Sequence, residues 1–185
     1  MTQNSYLDIG EISRLGLLRY GKNLKISRLA SLYRPWSISL GDNVRIDDFC
    51  VINGAVEVDH HCHFAPHCIV SGSDTSRIVV DSCCTFAYGV KIFSQSDDYS
   101  GHNMTGSVVP RAFTHPTSLD IHISRHTIVG ASTVIMPGVT ISEGVAVGAL
   151  SLVKTDLNAW SIYAGIPAKC ISPRSQNLLR HSLNL

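Results

Sequence analysis

The stretch "VGASTVIMPGVTISEGVAVGALSLV", residues 129–153, has an apolar residue at every sixth position. The same period runs through the chain at Leu40, Ile46, Ile52, Val58, Phe64, Val70, Val80, Phe86 and Ile92, and again from Ile123 through Val129, Ile135, Ile141, Val147 and Val153. A helix repeats about every 3.6 residues and a strand about every 2, so neither sustains a period of six. The pattern predicts an all-β solenoid in which six residues form one short strand and one turn, and three such units complete a triangular coil.

Small side chains recur four residues after most of these apolar positions. They are Val44, Cys50, Cys62, Cys68, Cys84, Val90, Thr127, Thr133, Val139, Val145 and Ser151. Small residues fit the corners of a triangular coil, so the four cysteines in this set are predicted to be packing thiols rather than nucleophiles or metal ligands. Cys83 and Cys170 lie outside the pattern and receive no role.

The period also locates two insertions. Val70 and Val80 are ten residues apart, which leaves four extra residues in "SGSDTS", and Ile92 and Ile123 are thirty-one apart, which leaves twenty-five. Loops of this length inside a compact domain are usually functional or disordered. The long loop, residues 94–118, is predicted to be functional because it contains Asp97, Asp98, Tyr99, His102 and His115.

The whole chain, residues 1–185, is predicted to form a single domain. Loosely helical spacing of Leu7, Ile12, Leu15 and Leu18 predicts a short helix over residues 6–19, within an N-terminal cap of residues 1–22. The β-helix is expected over residues 23–156. A C-terminal extension over 157–185 should end in a helix, because "SPRSQNLLRHSLNL" begins with a proline and places Leu178, Leu179 and Leu183 on one side.

The composition excludes several classes of partner. Hydrophobic residues are 44% of the chain, charged residues are 16% and the net charge is +1, without a run of like charge. No apolar stretch approaches the roughly 20 residues of a membrane span, and the N-terminal residues do not resemble a signal peptide. We therefore expect a cytoplasmic protein with reduced cysteines, no membrane insertion and no nucleic-acid partner.

The segment "VGASTVIMPGVTISEGVAVGALSLVKTDL", followed by "IYAGIPAKCI", resembles the hexapeptide-repeat acyltransferases. The resemblance runs from about residue 26 to residue 174 and implies a left-handed parallel β-helix. The long loop and "AGIPAK" resemble the sugar O-acetyltransferase branch, which includes galactoside and maltose acetyltransferases. This likeness implies a homotrimer with sites between subunits and acetyl-CoA as acyl donor. The acceptor would be a hydroxyl or amine of a sugar or nucleotide sugar, as a precursor of a bacterial surface polysaccharide.

The resemblance and the repeat together suggest the catalytic residues. The family has a histidine near the start of the long loop, but the matching "FSQSDDYS" has none and places Asp97 or Ser96 there. His63 directly precedes the inward-facing Phe64 and should point outward, so it is our candidate general base. Asp97 and Asp98 are candidates to orient that base or to bind substrate. Loop residues Tyr99, His102 and His115 are candidate substrate ligands, with either histidine an alternative base.

The cofactor site is suggested by the resemblance alone. It implies that acetyl-CoA contacts the backbone around Gly130, Ala131, Gly148 and Ala149, with Lys154, Thr155 and Lys169 near the phosphates. No metal is expected.

Two other interpretations remain open from the sequence. One is a γ-type carbonic anhydrase, which would bind zinc through residues such as His63, His67, His122 and His126. The other is a non-catalytic β-helix scaffold.

Overall fold

The computed structural model describes residues 5–182, which form short strands, two short α-helices and two 3₁₀ segments. The helices are α1 Ile9–Arg14 and α2 Leu179–Ser182, and the 3₁₀ segments are Pro35–Ser37 and Arg111–Phe113. The strands are β1 Arg19–Tyr20, β2 Lys25–Ile26, β3 Ser31–Tyr33, β4 Ile38–Leu40, β5 Arg45–Ile46, β6 Val51–Asn53, β7 Val56–Val58, β8 His63–Phe64, β9 Ile69–Ser71, β10 Ile78–Val80, β11 Thr85–Phe86, β12 Lys91–Phe93, β13 Gln95–Ser96, β14 Thr117–Ser118, β15 Ile121–Ile123, β16 Ile128–Val129, β17 Val134–Ile135, β18 Thr140–Ile141, β19 Ala146–Val147, β20 Leu152–Val153, β21 Ser161–Ala164 and β22 Lys169–Pro173.

Three sheets form the faces of the solenoid, and consecutive coils contribute one strand to each. Sheet 1 has the order β1-β4-β7-β10-β15-β18, sheet 2 has β2-β5-β8-β11-β16-β19-β21-β22, and sheet 3 has β20-β17-β12-β9-β6-β3. All pairings in these sheets are parallel except the last pair of sheet 2, β21 with β22. The predicted left-handed parallel β-helix is therefore confirmed.

The interior of the prism consists of the residues that set the six-residue period. Phe64 and Phe86 stack in neighbouring coils with ring centroids 4.7 Å apart and an interplanar angle of 5°. The residues predicted for the corners are buried as well, including Cys50, Cys62, Cys68 and Cys84. Cys83 lies half-buried in a turn and Cys170 is exposed.

The N-terminal cap is shorter than the sequence predicts. Asp8 caps α1 by accepting a hydrogen bond from the backbone N–H of Glu11, whose side chain accepts one from the backbone N–H of Asp8. The predicted helix over residues 6–19 is wrong at both ends: Asp8 is an extended N-cap, and Gly16 adopts a positive φ before β1 joins sheet 1. Leu18, predicted to lie on the apolar side of that helix, is accordingly exposed.

The C-terminal extension continues the solenoid instead of leaving it at residue 156. Strand β21 adds to sheet 2 beside β19, and β22 folds back antiparallel along it. Arg174 then crosses the corner, where its Nη1 donates hydrogen bonds to the carbonyl oxygens of His126, Gly144 and Val145 at 2.8, 3.0 and 3.1 Å. The predicted C-terminal helix is present over Leu179–Ser182, and Leu183 lies outside the described residues.

The long loop leaves the solenoid without disturbing its register. Ile92 of β12 pairs with Val70 in the coil before and with Ile135 in the coil after. The base of the loop is closed by an antiparallel pairing of β13 with β14. The loop is thus a protrusion anchored at both ends by the regular coils.

Candidate active site

Both insertions leave the solenoid at the same corner, one coil apart. The short insertion, residues 71–76, follows β9, and the long loop follows the neighbouring strand β12. Between them lies a buried cluster of hydroxyl groups from Ser73, Ser76 and Ser94. Ser76 Oγ lies 2.8 Å from Ser73 Oγ and 2.8 Å from Ser94 Oγ, and also donates to the Ser94 carbonyl at 3.0 Å. The short insertion therefore holds the start of the long loop.

The exit of the long loop is held from the same side. The backbone N–H of Arg77 donates to Asp120 Oδ1 at 2.9 Å, and the backbone N–H of Ile121 donates to the Arg77 carbonyl at 2.9 Å. Leu119 N–H also reaches the Ser94 carbonyl at 2.9 Å, which joins exit to entry. The base of the loop is consequently fixed at both ends.

A pair of arginines meets the short insertion from opposite sides. Arg34, in a turn two coils below, donates to the Asp74 carboxylate and to the Gly72 carbonyl. Arg111 of the long loop approaches the other oxygen of the same carboxylate at 3.8 Å. Asp74 is thus bound mainly by Arg34 and only loosely by Arg111.

A groove of about 730 Å³, which we call the arch groove, lies between the long loop and the short insertion. Its lining residues are Thr75, Gln95, Ser96, Asp97, Gly106, Ser107, Val109, Arg111, Thr114, Pro116 and Ser118. Most of them carry hydroxyl or amide groups, with one carboxylate and one guanidinium. This chemistry suits a polar ligand that carries hydroxyl groups and opposite charges.

The two loop aspartates have different surroundings. Asp97 lines the arch groove, and its Oδ2 accepts one hydrogen bond, from the backbone N–H of Gly106 at 3.1 Å. Asp98 accepts hydrogen bonds from the backbone N–H and side chain of Ser100 and of Asn103. These bonds, from Ser100 first, hold the pKa of Asp98 well below its usual range. Asp98 therefore organises the loop, whereas Asp97 has an oxygen available for a ligand.

The other loop candidates lie outside the lining of the arch groove. Tyr99 is 92% exposed, and His115 is exposed too. His102 is exposed, with Nδ1 2.6 Å from Ser100 Oγ. The structure does not bring these three predicted substrate ligands to Asp97 within one copy of the chain.

His63 has a carboxylate partner that the sequence interpretation missed. Its Nε2 lies 2.8 Å from Oδ2 of Asp47, a buried residue one coil below. Asp47 Oδ1 also accepts from Arg45 Nε at 2.7 Å and from the Tyr6 hydroxyl at 3.0 Å. In this chain the carboxylate that orients His63 is therefore Asp47 and not Asp97, which lies beyond a different sheet.

The charge state of this cluster follows from its contacts. Burial alone raises the pKa of the Asp47 carboxyl, but hydrogen bonds from Arg45, His63 and Tyr6 bring it below its ordinary value. Burial, together with the hydrogen bond to Asp47, raises the pKa of Tyr6. An ionised Asp47 at Nε2 leaves His63 Nδ1 as the ring nitrogen without a hydrogen-bond partner among residues 5–182, the arrangement of a general base and its orienting acid.

The predicted cofactor residues divide into two groups. A Cβ on Gly130 would lie 2.4 Å from the Ala149 nitrogen, and one on Gly148 would lie 2.9 Å from the Ala164 Cβ. Their N–H groups donate to Val147 and Tyr163 of the next coil. The two glycines are thus required for coil stacking, and their N–H groups are paired with the next coil.

Ala131 and Ala149 follow these glycines in turns one coil apart. Their backbone N–H groups donate to none of the described residues, so both are available to a ligand. The side chains of Lys154, Thr155 and Lys169 are exposed at the same end of the solenoid.

The histidines of the carbonic anhydrase interpretation are divided among separate partners. His122 Nε2 lies 3.0 Å from Asp81 Oδ1, His67 stacks on Phe49 and His126 lies against Trp160. Within residues 5–182, no three histidine, cysteine or acidic side chains converge as a metal site. In the same part of the chain, no helix is long and apolar enough to cross a membrane.

Comparison with known proteins places this β-helix, with its anchored loop, among the acyltransferases. The chain is 38% identical over 178 residues to the dTDP-4-amino-4,6-dideoxy-D-glucose acyltransferase of Escherichia coli, which covers 95% of this chain and 92% of that enzyme. The chain belongs to the family of this enzyme, the left-handed β-helix acyltransferases. No protein-family model matches the chain.

Solved structures agree over the full length. AntD, an N-acyltransferase from Bacillus cereus in complex with dTDP and 3-hydroxybutyryl-CoA, is 35% identical and superposes with a TM-score of 0.95 over 98% of this chain and 96% of AntD. An AntD variant with the same identity and TM-score is in complex with dTDP-4-amino-4,6-dideoxyglucose and coenzyme A. A maltose O-acetyltransferase from Clostridium difficile, at 17% identity and a TM-score of 0.54, shares the fold alone. The sugar O-acetyltransferase branch suggested by the sequence is thus a more distant likeness.

Proposed function

We propose that this protein transfers an acyl group from acyl-CoA to the amino group of a nucleotide-linked aminosugar such as dTDP-4-amino-4,6-dideoxyglucose. The carrying observation is the 38% identity to the E. coli acyltransferase over 95% of the chain. A match of that extent spans the long loop and the arch groove, so it includes the acceptor side of the site as well as the solenoid. Between the hydroxyl and the amine that the sequence left open, the N-acyltransferase relatives favour the amine.

The arch groove offers the chemistry that an aminosugar requires. A sugar amine is protonated at neutral pH, and Asp97 can accept hydrogen bonds from an ammonium group. The ammonium group first releases one proton to water. The neutral amine then attacks the thioester carbonyl, so that a C–N bond forms, the C–S bond breaks and a second proton passes from the nitrogen to a base. His63, oriented by Asp47, is our candidate for that base, and the thiolate of coenzyme A takes up a proton as it leaves.

The two parts of this machinery lie on different faces of one chain. His63 projects from sheet 2, whereas Asp97 lies beyond the end of a strand that joins sheet 3. We therefore propose a homotrimer in which a groove between neighbouring copies brings His63 of one copy to the arch groove of the next. In the same groove, the backbone amides of Ala131 and Ala149 would bind the pantetheine arm. Lys154, Thr155 and Lys169 would lie near the phosphates.

A nucleotide-linked sugar is an activated donor for glycan synthesis. We accordingly propose that the protein is a cytoplasmic enzyme and that its product is a precursor of a bacterial surface polysaccharide. The acyl group is acetyl in the first instance, with 3-hydroxybutyryl as the alternative suggested by the AntD complex.

The test is a thiol-release assay with purified protein, acetyl-CoA or 3-hydroxybutyryl-CoA, and a pair of matched acceptors. We expect turnover with dTDP-4-amino-4,6-dideoxyglucose and none with dTDP-glucose, which offers a hydroxyl at the same carbon. Turnover with the hydroxyl alone would replace N-acylation by O-acylation. Absence of turnover with both acceptors and both donors would overturn the proposal. Light scattering of the same preparation should give three times the chain mass, and a monomer would contradict the trimer.

A further inference from the structure

The arch groove is chemically polarised. Among its lining residues, Asp97 carries a negative charge and Arg111 a positive one, while the others are neutral. Asp97 follows β13 on the outgoing limb of the long loop, and Arg111 begins the 3₁₀ segment on the returning limb. The two charges therefore come from opposite limbs of the same arch.

We propose that Arg111 binds the diphosphate of the nucleotide sugar while Asp97 binds its amino group, so that the groove sets the direction in which the acceptor lies. This inference rests on the proposed function. In a 4-amino sugar linked to a nucleotide through C1, the amine and the diphosphate stand at opposite ends of the ring. A groove with one anion and one cation on its two limbs is complementary to that arrangement.

The guanidinium of Arg111 is available for a phosphate. Its side chain is 88% exposed, and its ion-pair partner Asp74 approaches only to 3.8 Å. Arg34, whose side chain is 30% exposed, already binds the other oxygen of that carboxylate. Exposed pairs of this kind contribute little. Arg111 thus keeps most of its N–H donors for a ligand, and the planar guanidinium suits bidentate phosphate binding.

The neutral lining of the groove fits the remainder of the acceptor. Thr75 from the short insertion and Ser96, Ser107, Thr114 and Ser118 from the long loop supply hydroxyl groups that can both donate and accept hydrogen bonds. Sugar hydroxyls have the same dual capacity. The groove can therefore bind a sugar between its two charged ends.

The experiment compares Arg111→Ala, Arg111→Lys and the control Arg19→Ala in the full-length protein. Arg19 is also an exposed arginine with one carboxylate partner, Glu57, but it lies on sheet 1 away from the groove. Calorimetry with dTDP measures diphosphate affinity, and steady-state kinetics separate KM for the nucleotide aminosugar from kcat. We expect Arg111→Ala to lower dTDP affinity and to raise the KM for the acceptor, each by about ten- to hundredfold. This is the loss expected for a charged hydrogen-bonding partner.

Further variants and measurements distinguish a loss of diphosphate binding from a change in the structure of the long loop. Arg111→Lys should recover part of the affinity, KM for acyl-CoA should stay constant, and Arg19→Ala should match the wild type. Asp97→Asn should keep the wild-type affinity for dTDP, which has no amine, while losing the preference for the aminosugar. Wild-type dTDP affinity in Arg111→Ala would overturn this inference without touching N-acylation. A wild type that neither binds dTDP nor turns over the aminosugar would instead refute the proposed function.

Discussion

The coil that contains β11 and β12 and the long loop that follows it differ in where their hydrogen bonds go. In the coil, the backbone N–H groups of Thr85 and Lys91 donate to the carbonyls of Thr127 and Thr133 in the next coil, so these bonds join two layers of the prism. In the loop, Met104 donates to Phe113 and Asp98 accepts from its near neighbours, so these bonds stay within the loop. The coils thus support one another, whereas the loop depends on its base. Substitutions in the coil should therefore alter stability, and substitutions in the loop should alter catalysis.

The largest expected effect is on the coils. Phe86→Ala should lower the free energy of unfolding by about 3–5 kcal/mol, because it leaves a cavity beside Phe64 in a core that cannot close it. Urea denaturation measures this change. Tyr88→Ala is the matched control, since that side chain is 64% exposed and its removal should change stability little. Equal losses in both variants would show that the stack does not dominate the core.

On the loop, Asp97→Asn should reduce turnover of the aminosugar by about 100-fold while the melting temperature stays near that of the wild type. The carboxylate lines the arch groove and supports little of the loop, with one hydrogen bond from Gly106. Val108→Ala, on a side chain that is 94% exposed, serves as the control within the loop. If Asp97→Asn retained full turnover, the acceptor site would have to lie elsewhere.

The pair of His63 and Asp47 tests whether the regular coils also contribute chemistry. His63→Ala should cost about 100-fold in turnover as the loss of a general base, without a large change in stability. Asp47→Asn should cost less, because it removes the carboxylate that lies 2.8 Å from Nε2 and leaves the imidazole less well oriented. Steady-state kinetics measure both changes, and full turnover in both variants would remove this base from the mechanism.

A smaller effect is expected where coil and loop meet. Ser76→Ala removes the hydroxyl that contacts Ser73 and Ser94, so the start of the long loop should loosen. We expect acceptor KM to rise severalfold at nearly constant kcat, with unchanged KM for acyl-CoA. The control is Ser82→Ala, whose exposed hydroxyl contacts Asp59 at a distant corner. A parallel loss of acyl-CoA binding would show a general defect instead.

The smallest effect concerns the N-terminal cap. Hydrogen bonds from Arg28, followed by the one from the Asp8 backbone, lower the pKa of Glu11 to about 2. Because the pKa of Glu11 in the folded protein lies below its ordinary value of about 4.3, the ionised side chain stabilises the fold. This stabilisation is fully present above pH ~4.3 and is lost as the pH falls toward 2. Glu11→Gln should flatten the dependence of melting temperature on pH in that window only. An identical pH dependence in the variant would contradict this assignment.

The six-residue period was sufficient to predict the coils, because the side chain at every apolar position of the repeat must face the interior of the prism. It predicted the outward orientation of His63 for the same reason. The carboxylate of Asp47 could have been found too, since it follows Ile46, which pairs with Phe64 next to His63. Sequence spacing alone could not place Arg111 or Thr75 in one groove. Their positions depend on how two insertions, which start at residues 71 and 94, fold against each other without a repeat to set a register.

The strand β22 and the side chain of Arg174 have a consequence for growth of the molecule along its own axis. Parallel coils expose a row of backbone groups at each end, and an open edge of that kind can accept the edge of another molecule. Here the last strand of sheet 2 runs antiparallel, and one guanidinium occupies the carbonyls of His126, Gly144 and Val145. At this face, an incoming copy would meet an antiparallel strand instead of the parallel strand that coil stacking requires. This arrangement opposes end-to-end polymerisation into fibres.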